Sequence, residues 1–154
     1  GLMALRFKNE AIKKHKSVWD KILTRQTADR IIAAIDTENY FYANTLHGTT
    51  IINNNFDKFY VLAVLNSQLI SWFYKNTSPE SNKVFAQIKI DILKKLPIPN
   101  IEKSLQNNIV KITGQIIDKK KISADSSKLE KKIDDIILSS LKLNEKEIDI
   151  IKNL

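Results

Sequence analysis

Between residues 21 and 27, apolar and polar side chains alternate along the chain, which predicts a short β-strand. Successive side chains of an extended chain point to opposite faces, so Ile22 and Thr24 fall on one side. Leu23 and Arg25 fall on the other side. The strand therefore offers a polar group on each of its faces.

Two further strands are predicted downstream. The run 30–35 is rich in isoleucine, which is β-branched, and the run 40–44 resumes the pattern with tyrosine and phenylalanine. Residues 36–39, with the sequence DTEN, carry side chains that favour a turn between the two runs. Together these segments predict a small, twisted and mostly antiparallel sheet.

A single amphipathic helix is predicted over residues 57–75, with Asp57 as its N-cap. A helix this apolar must cover a sheet, so its aromatic side chains are interpreted as core. Residues 77–83 combine serine, asparagine and proline, which predicts a loop suited to polar contacts. The apolar stripe, spaced mostly by three and four, consists of Phe59, Leu62, Leu65, Leu69, Trp72 and Phe73.

Residues 84–89 alternate again and predict another strand, whereas 90–96 form a short apolar run that fits either a strand or a helix. Pro97 and Pro99 then end regular structure, because proline has no N–H to donate and restricts the residue before it. This stretch predicts a rigid strut that leaves the globular part.

Helix-forming residues dominate after residue 101. Two apolar stripes separated by the polar segment 123–127 predict an antiparallel helical hairpin, packed within the chain and not extended as a coiled coil. Asn144 and Glu147 fit the N-cap and third positions of a last short helix. The stripes consist of Leu105, Ile109, Ile112 and Ile116, then Leu129, Ile133, Ile136 and Ser140.

The net charge bears on the choice of partner. The 154 residues include 25 Lys and Arg against 17 Asp and Glu, a formal charge of +8. This balance favours an anionic partner such as nucleic acid. Many lysines occupy solvent positions of predicted helices, where they also serve solubility. Charge alone therefore does not choose between DNA, RNA and a lipid surface.

Several kinds of chemistry are excluded by composition. The chain has no cysteine, so it has no disulfide, thiolate metal site or cysteine nucleophile. Its three scattered glycines cannot form a phosphate-binding loop, and its two distant histidines do not make a zinc site. We expect no catalytic residue, cofactor or metal in this chain, although an all-carboxylate magnesium site stays open.

The location follows from similar arguments. No apolar run approaches the roughly 20 residues that a membrane helix needs, and the N-terminus lacks a signal-peptide profile, so we expect a cytoplasmic protein. Residues 1–5, GLMAL, are an unusual natural start. We expect part of them to be a cloning remnant and the native protein to extend upstream.

Polar side chains on or beside the predicted strands and loops are candidates for contacting DNA. Arginine can hold guanine through two hydrogen bonds, asparagine and glutamine can hold adenine, and lysine can bind phosphate. The alternative interpretation is a solvated sheet face. The candidates are Arg25, Gln26, Thr27, Arg30, Asn44, His47, Lys75, Asn76, Lys83 and Gln87, with Lys89 as the weakest addition.

The order and spacing of these segments resemble the TaqI-like C-terminal specificity domain, from about Lys21 to the C-terminus. That family comprises target-recognition domains of adenine-specific DNA methyltransferases and fused restriction-modification enzymes, and is similar to half-domains of type I restriction specificity subunits. The resemblance implies a bacterial protein that binds double-stranded DNA, with a catalytic methyltransferase domain or subunit as partner. The matching segments are KILTRQTADRI (21–31), YFYANTLHG (40–48), VLAVLNSQLISWFY (61–74) and VFAQIKIDILKKLPIP (84–99), followed by the helical tail.

We therefore predict an α+β fold in which the sheet is packed by the 57–75 helix and followed by the helical hairpin. The predicted parts are a lead-in helix over 1–20, a DNA target-recognition domain over 21–99, and a hairpin or spacer with a short terminal helix over 100–154. Two other functions stay open. The hairpin could instead bind a protein, with the basic charge only solvating the surface. A metal-dependent nuclease is the third hypothesis.

The nuclease hypothesis depends on Asp118 followed by Glu130 and Lys132, which imitate an Asp…Glu-x-Lys pattern. On a helix, however, side chains two positions apart point in different directions. The Asn/Asp/Ser-Pro-Pro-aromatic motif of amino-methyltransferases is also absent, since no two prolines are adjacent. Any cofactor pocket and flipped-base pocket would therefore lie outside this chain.

Overall fold

The computed structural model of the protein describes residues 20–38 and 45–153, and shows the predicted α+β architecture. Within these residues, three strands precede six helices. None of the helices described is both long and apolar enough to cross a lipid bilayer. The elements are β1 Lys21–Arg25, β2 Ala33–Asp36, β3 Leu46–Thr49, α1 Lys58–Leu65, α2 Gln68–Thr77, α3 Ile90–Leu93, α4 Lys103–Lys121, α5 Ser127–Ser140 and α6 Glu145–Lys152.

The three strands form one antiparallel sheet with β1 in the centre, between β2 and β3. Thr24 in β1 lies opposite Ala33 in β2 and His47 in β3. The first predicted strand is confirmed, whereas the second begins three residues later than the predicted run. The predicted strand over 40–44 lies outside the described residues, as does the lead-in helix predicted over 1–20 except for its last residue.

The predicted helix over 57–75 is wrong as a single element, because the chain breaks it at Asn66 and Ser67 into α1 and α2. The side chain of Asn66 accepts from the backbone N–H of Ala33 and donates to its carbonyl, both at 2.9 Å. Ser67 then caps α2 by accepting from the backbone N–H of Ile70 at 3.4 Å. The predicted N-cap of α1, Asp57, is confirmed by its acceptance from the Phe59 N–H at 2.7 Å.

The predicted strand over residues 84–89 is also wrong, since only one isolated bridge forms there, between Thr27 and Gln87. The ambiguous run that follows begins with the short helix α3. Beyond α3 the chain passes through Pro97 and Pro99 without regular structure, as predicted. The hydroxyl of Tyr60 donates to the carbonyl of Pro99 at 2.6 Å, which fixes this strut to α1.

The predicted C-terminal helices are confirmed. α4 packs on α1, α5 packs on α4 and α2, and α6 packs on α2. At the start of α6, Asn144 and Glu147 form the predicted reciprocal capping box. Buried residues of the sheet, such as Ile22, and of the hairpin, such as Ile109 and Ile137, belong to one continuous hydrophobic core. The hairpin is therefore part of the body of the molecule.

Candidate nucleic-acid interface

Two chain segments meet at the end of β1, and backbone hydrogen bonds hold them together. The amide of Gln26 donates to the carbonyl of Thr45 at 2.9 Å, and its carbonyl accepts from Ile88 at 2.7 Å. The amide of Ala28 donates to the carbonyl of Ala86 at 3.3 Å. Residues 25–30 and 83–89, which we call the sheet end, therefore form one surface, although more than fifty positions separate them in sequence.

Besides Lys83 and the half-buried Gln26, four predicted DNA contacts project from this sheet end or lie at its rim. Arg25, Thr27, Arg30 and Gln87 are all exposed. Thr27 and Gln87 face each other across the isolated bridge, and Arg25 is the last residue of the central strand. Gln26 is half-buried, and its backbone N–H and C=O both tie the sheet end together. The structure thus brings together predicted contacts from two distant segments.

The charge of Arg30 also reaches the hairpin, where Glu130 lies near the start of α5. Burial of Glu130 raises its pKa. Hydrogen bonds from Lys120 and Ser126, together with the charges of Lys120 and Arg30, lower it more, so the pKa of Glu130 lies below its ordinary value. Glu130 accepts from Ser126 at 2.7 Å and pairs with Lys120 at 2.9 Å. The charge of Arg30 therefore contributes to the electrostatics at the start of α5.

His47 lies on a different face from Arg25. Directly opposed residues of an antiparallel pair point to the same side, so His47 shares the face of Thr24, and Arg25 shares the face of Leu46. The Nε2 atom of His47 lies 2.7 Å from the carbonyl oxygen of Ile88. The imidazole thus joins the 86–88 segment to β3. His47 does not lie beside Arg25, so the two predicted DNA contacts are not on one face of the sheet.

The candidates after α2 form a second group. Lys75 is exposed in the last turn of α2, and Asn76 donates to the carbonyl of Trp72 at 2.8 Å. Lys83 pairs with Glu80 at 2.9 Å, and the Lys83 hydrogen bond holds the pKa of Glu80 below its ordinary value. Lys75 is therefore the less compensated of the two lysines. The remaining candidate, Asn44, lies outside the described residues.

Sequence patterns gave no sign of one feature of the sheet end. Val84 and Phe85 have 92% and 80% of their surface exposed, between the candidates Lys83 and Gln87. Their alternation with polar residues suggested a strand with a buried face, and such a strand would have hidden one of them. The missing signal is a pairing partner, because an alternating pattern does not say whether another strand lies alongside.

A separate pocket of about 280 Å³ lies between the sheet, the 49–56 loop and the α3 region. Its wall is mostly apolar, with Phe56, Val61 and Leu96 among its residues and Lys94 as its only titratable side chain. Such a lining holds no acid–base pair for catalysis. Within residues 20–38 and 45–153, no cluster of three His, Asp or Glu side chains has metal-binding geometry.

The nuclease-like pattern is occupied by local contacts. Asp118 lies 3.8 Å from Lys121 on its own helix, and Glu130 is engaged by Lys120 and Ser126. These carboxylates contact neighbouring side chains on the hairpin surface, so they do not point together towards a common metal site.

The chain matches the model of one known domain family. The family model of the TaqI-like C-terminal specificity domain matches residues 3–98 of the chain. The chain belongs to this family. The match begins upstream of β1 and ends at Ile98, before the hairpin, whereas the resemblance had been expected to continue to the C-terminus. No curated protein matches the chain.

Membership gives the sheet end its context. A TaqI-like specificity domain has a DNA-recognition role in methyltransferase-type enzymes and is not their catalytic part. Both segments of the sheet end lie inside the matched range. Association with a methyltransferase domain is likewise implied by the family.

Proposed function

We propose that this chain is the target-recognition domain of a bacterial, adenine-specific restriction-modification methyltransferase, and that its sheet end reads duplex DNA. The observation that carries the proposal is the joining of 25–30 and 83–89 into one surface with exposed polar side chains, within the range of the family match. The formal charge of +8 supports a polyanionic partner. The methyl transfer itself would occur in a catalytic domain or subunit in the cytoplasm.

Recognition would divide between two kinds of contact. Arg25, Thr27 and Gln87 are exposed and supply donors and acceptors suited to base edges. Lys75 and Lys83, at the end of α2 and in the following loop, would contact phosphates and fix the register on the duplex. His47 would act indirectly, because its ring holds the carbonyl of Ile88 in the segment that carries Gln87.

The alternative of a protein-binding hairpin has less support. The apolar stripes of α4 and α5 are already buried, with Ile109, Ile112, Ile133 and Ile137 all in the core of this chain. A helix whose apolar face is already covered offers little hydrophobic area to another protein. The outer face of the hairpin is charged, so contacts with the methyltransferase part would be polar there.

Arg25 and Arg30 provide the test, because both are exposed and neither contributes a side chain to the core. The chain would be incubated at low salt with a randomised duplex pool, and the retained DNA sequenced. We expect an enriched motif, and we expect the double variant Arg25→Ala/Arg30→Ala to lose it, since one bidentate arginine contributes about 1–3 kcal/mol of base discrimination.

Lys142→Ala/Lys146→Ala is the matched control, since it removes the same charge from exposed positions near α6. This control should keep the motif. A salt titration counts the phosphates, at a slope of about −0.9 per phosphate contacted. Equal retention of every duplex by the unchanged chain would contradict target recognition and leave only a basic surface.

A further inference from the structure

Val84 and Phe85 are the most conspicuous apolar residues on the candidate interface. Both project from the turn that precedes the isolated bridge at Gln87, with 92% and 80% of their surface exposed. Water disfavours such a pair, because an apolar side chain gains about 25 cal/mol for each Å² that it buries. The pair is thus poised to gain free energy from a partner that covers it.

The charge around the pair indicates which partner that is. Lys83, which pairs with Glu80, precedes it and Lys89 follows it. Over residues 25–30 and 83–89 together, four basic residues stand against one acidic residue, Asp29. Lysine is depleted in the centre of protein–protein interfaces, whereas cations beside exposed apolar groups suit a nucleic acid. Charge complementarity therefore favours DNA over a protein surface.

The base of the turn is held on both sides. The amide of Lys83 donates to the carbonyl of Glu80 at 3.1 Å, and beyond the pair Ala86 and Ile88 are joined to the 26–28 segment through their backbones. Ala86 and Ile88 are also buried. Because both ends of the turn are fixed, Val84 and Phe85 keep their exposed positions when a partner binds.

We propose that Val84 and Phe85 form an apolar wedge that enters the DNA groove and partly unstacks a base step beside the bases read by Gln87. The inference extends the proposed function and depends on it. Apolar wedges of this kind kink duplexes and open base steps in other DNA-binding proteins. The wedge would let the sheet end sense how easily a step unstacks, in addition to its hydrogen-bonding groups.

The experiment uses the 154-residue chain and the duplex sequence selected from the randomised pool, with 2-aminopurine replacing each adenine in turn. Unstacking of 2-aminopurine raises its fluorescence. We expect a rise at one step with the unchanged chain and none with Val84→Ser/Phe85→Ser. We also expect this variant to bind about tenfold more weakly, since stacking of an aromatic side chain on a base contributes to the affinity for DNA.

Ile52→Ser is the matched control, because Ile52 is 90% exposed and follows Thr49, which pairs with Ile22 at the end of β1 opposite Arg25. It should leave both fluorescence and affinity unchanged. The salt slope of the double variant should equal that of the unchanged chain, because the phosphate contacts remain.

The outcomes separate the two proposals. A selected motif without a fluorescence rise, or a double variant that behaves like the unchanged chain, overturns the wedge and leaves target recognition standing. Failure to select any motif overturns target recognition, and the wedge with it. A rise that disappears only in the double variant supports both.

Discussion

The helical hairpin buries its apolar side chains within the chain, whereas the sheet end leaves apolar side chains exposed to solvent. In α4 and α5 the isoleucines point inward and the lysines outward, so the helices satisfy their own apolar and charged groups. At the sheet end the backbone is satisfied, but two apolar and several polar side chains face solvent. Regular packing thus occurs where the chain needs only itself, and exposed irregular structure occurs where a partner would supply the missing contacts.

The first prediction tests whether the hairpin can unfold independently of the sheet. Ile137 in α5 is fully buried in the core that also contains Ile22 of β1. We expect Ile137→Ala to reduce the free energy of unfolding by about 2–5 kcal/mol, through lost burial and the cavity left behind. The measurement is urea unfolding combined with hydrogen exchange of the β1 amides.

Ile150→Ala, at a position 60% exposed on α6, is the control and should change stability little. A shared core requires the β1 amides to lose protection together with the hairpin. If β1 kept its full protection while the hairpin unfolded, the hairpin would be an independent appendage and the single-core description would be wrong.

A second, smaller effect is expected at the corner between α1 and α2. The Asn66 side chain makes two hydrogen bonds to Ala33 and so joins this corner to β2. Asn66→Ala should reduce stability by about 1–3 kcal/mol, since part-buried backbone groups lose their partner. Thermal unfolding would measure it, with the exposed Asn82→Ala as control. Equal melting temperatures for the two variants would show that the corner does not fix β2.

The third predicted effect lies at the contact between the hairpin and α2, and it depends on pH. Asp134 of α5 accepts from the backbone N–H of Gln68 at 2.9 Å. Burial raises the pKa of Asp134 to about 6, although the Gln68 hydrogen bond opposes the rise. A raised carboxyl pKa means that the folded state binds the proton more tightly, so this group adds stability as pH falls from 6 towards 4.

Asp134→Asn removes the charge and keeps an oxygen that can accept from Gln68. We expect a higher melting temperature than the unchanged chain at pH 7.5 and no gain at pH 4, with the exposed Asp149→Asn showing neither change. A gain of equal size at both pH values would attribute the effect to packing, and not to the ionised carboxylate.

The regular parts of the fold could be predicted closely from the sequence. The stripes of α4 and α5, the caps at Asp57 and Asn144, and the first strand all depend on local periodicity or local hydrogen bonding. Periodicity did not reveal the break at Asn66, because every residue from Tyr60 to Leu65 is buried and the apolar pattern continues across the corner. The reason for the break is a distant strand, which no local pattern contains.

The candidate site was less accessible for the same physical reason. The polar types at Arg25, Thr27 and Gln87 were visible in the sequence, and the structure places them on one surface. The separation of His47 from Arg25 follows from strand register, which the sequence does not specify. The exposure of Phe85 follows from the absence of a partner strand beside it in the described sheet.

The backbone tethers of the sheet end also bear on how such a surface can change. Links from Gln26 to Thr45 and Ile88, and from Ala28 to Ala86, use only main-chain atoms, which every residue except proline provides in full. The side chains at 25, 27 and 87 can therefore be exchanged without removing a tether. The backbone of the sheet end can thus hold different side chains at these positions. A library randomised at these three positions should yield folded proteins with altered DNA-sequence preferences.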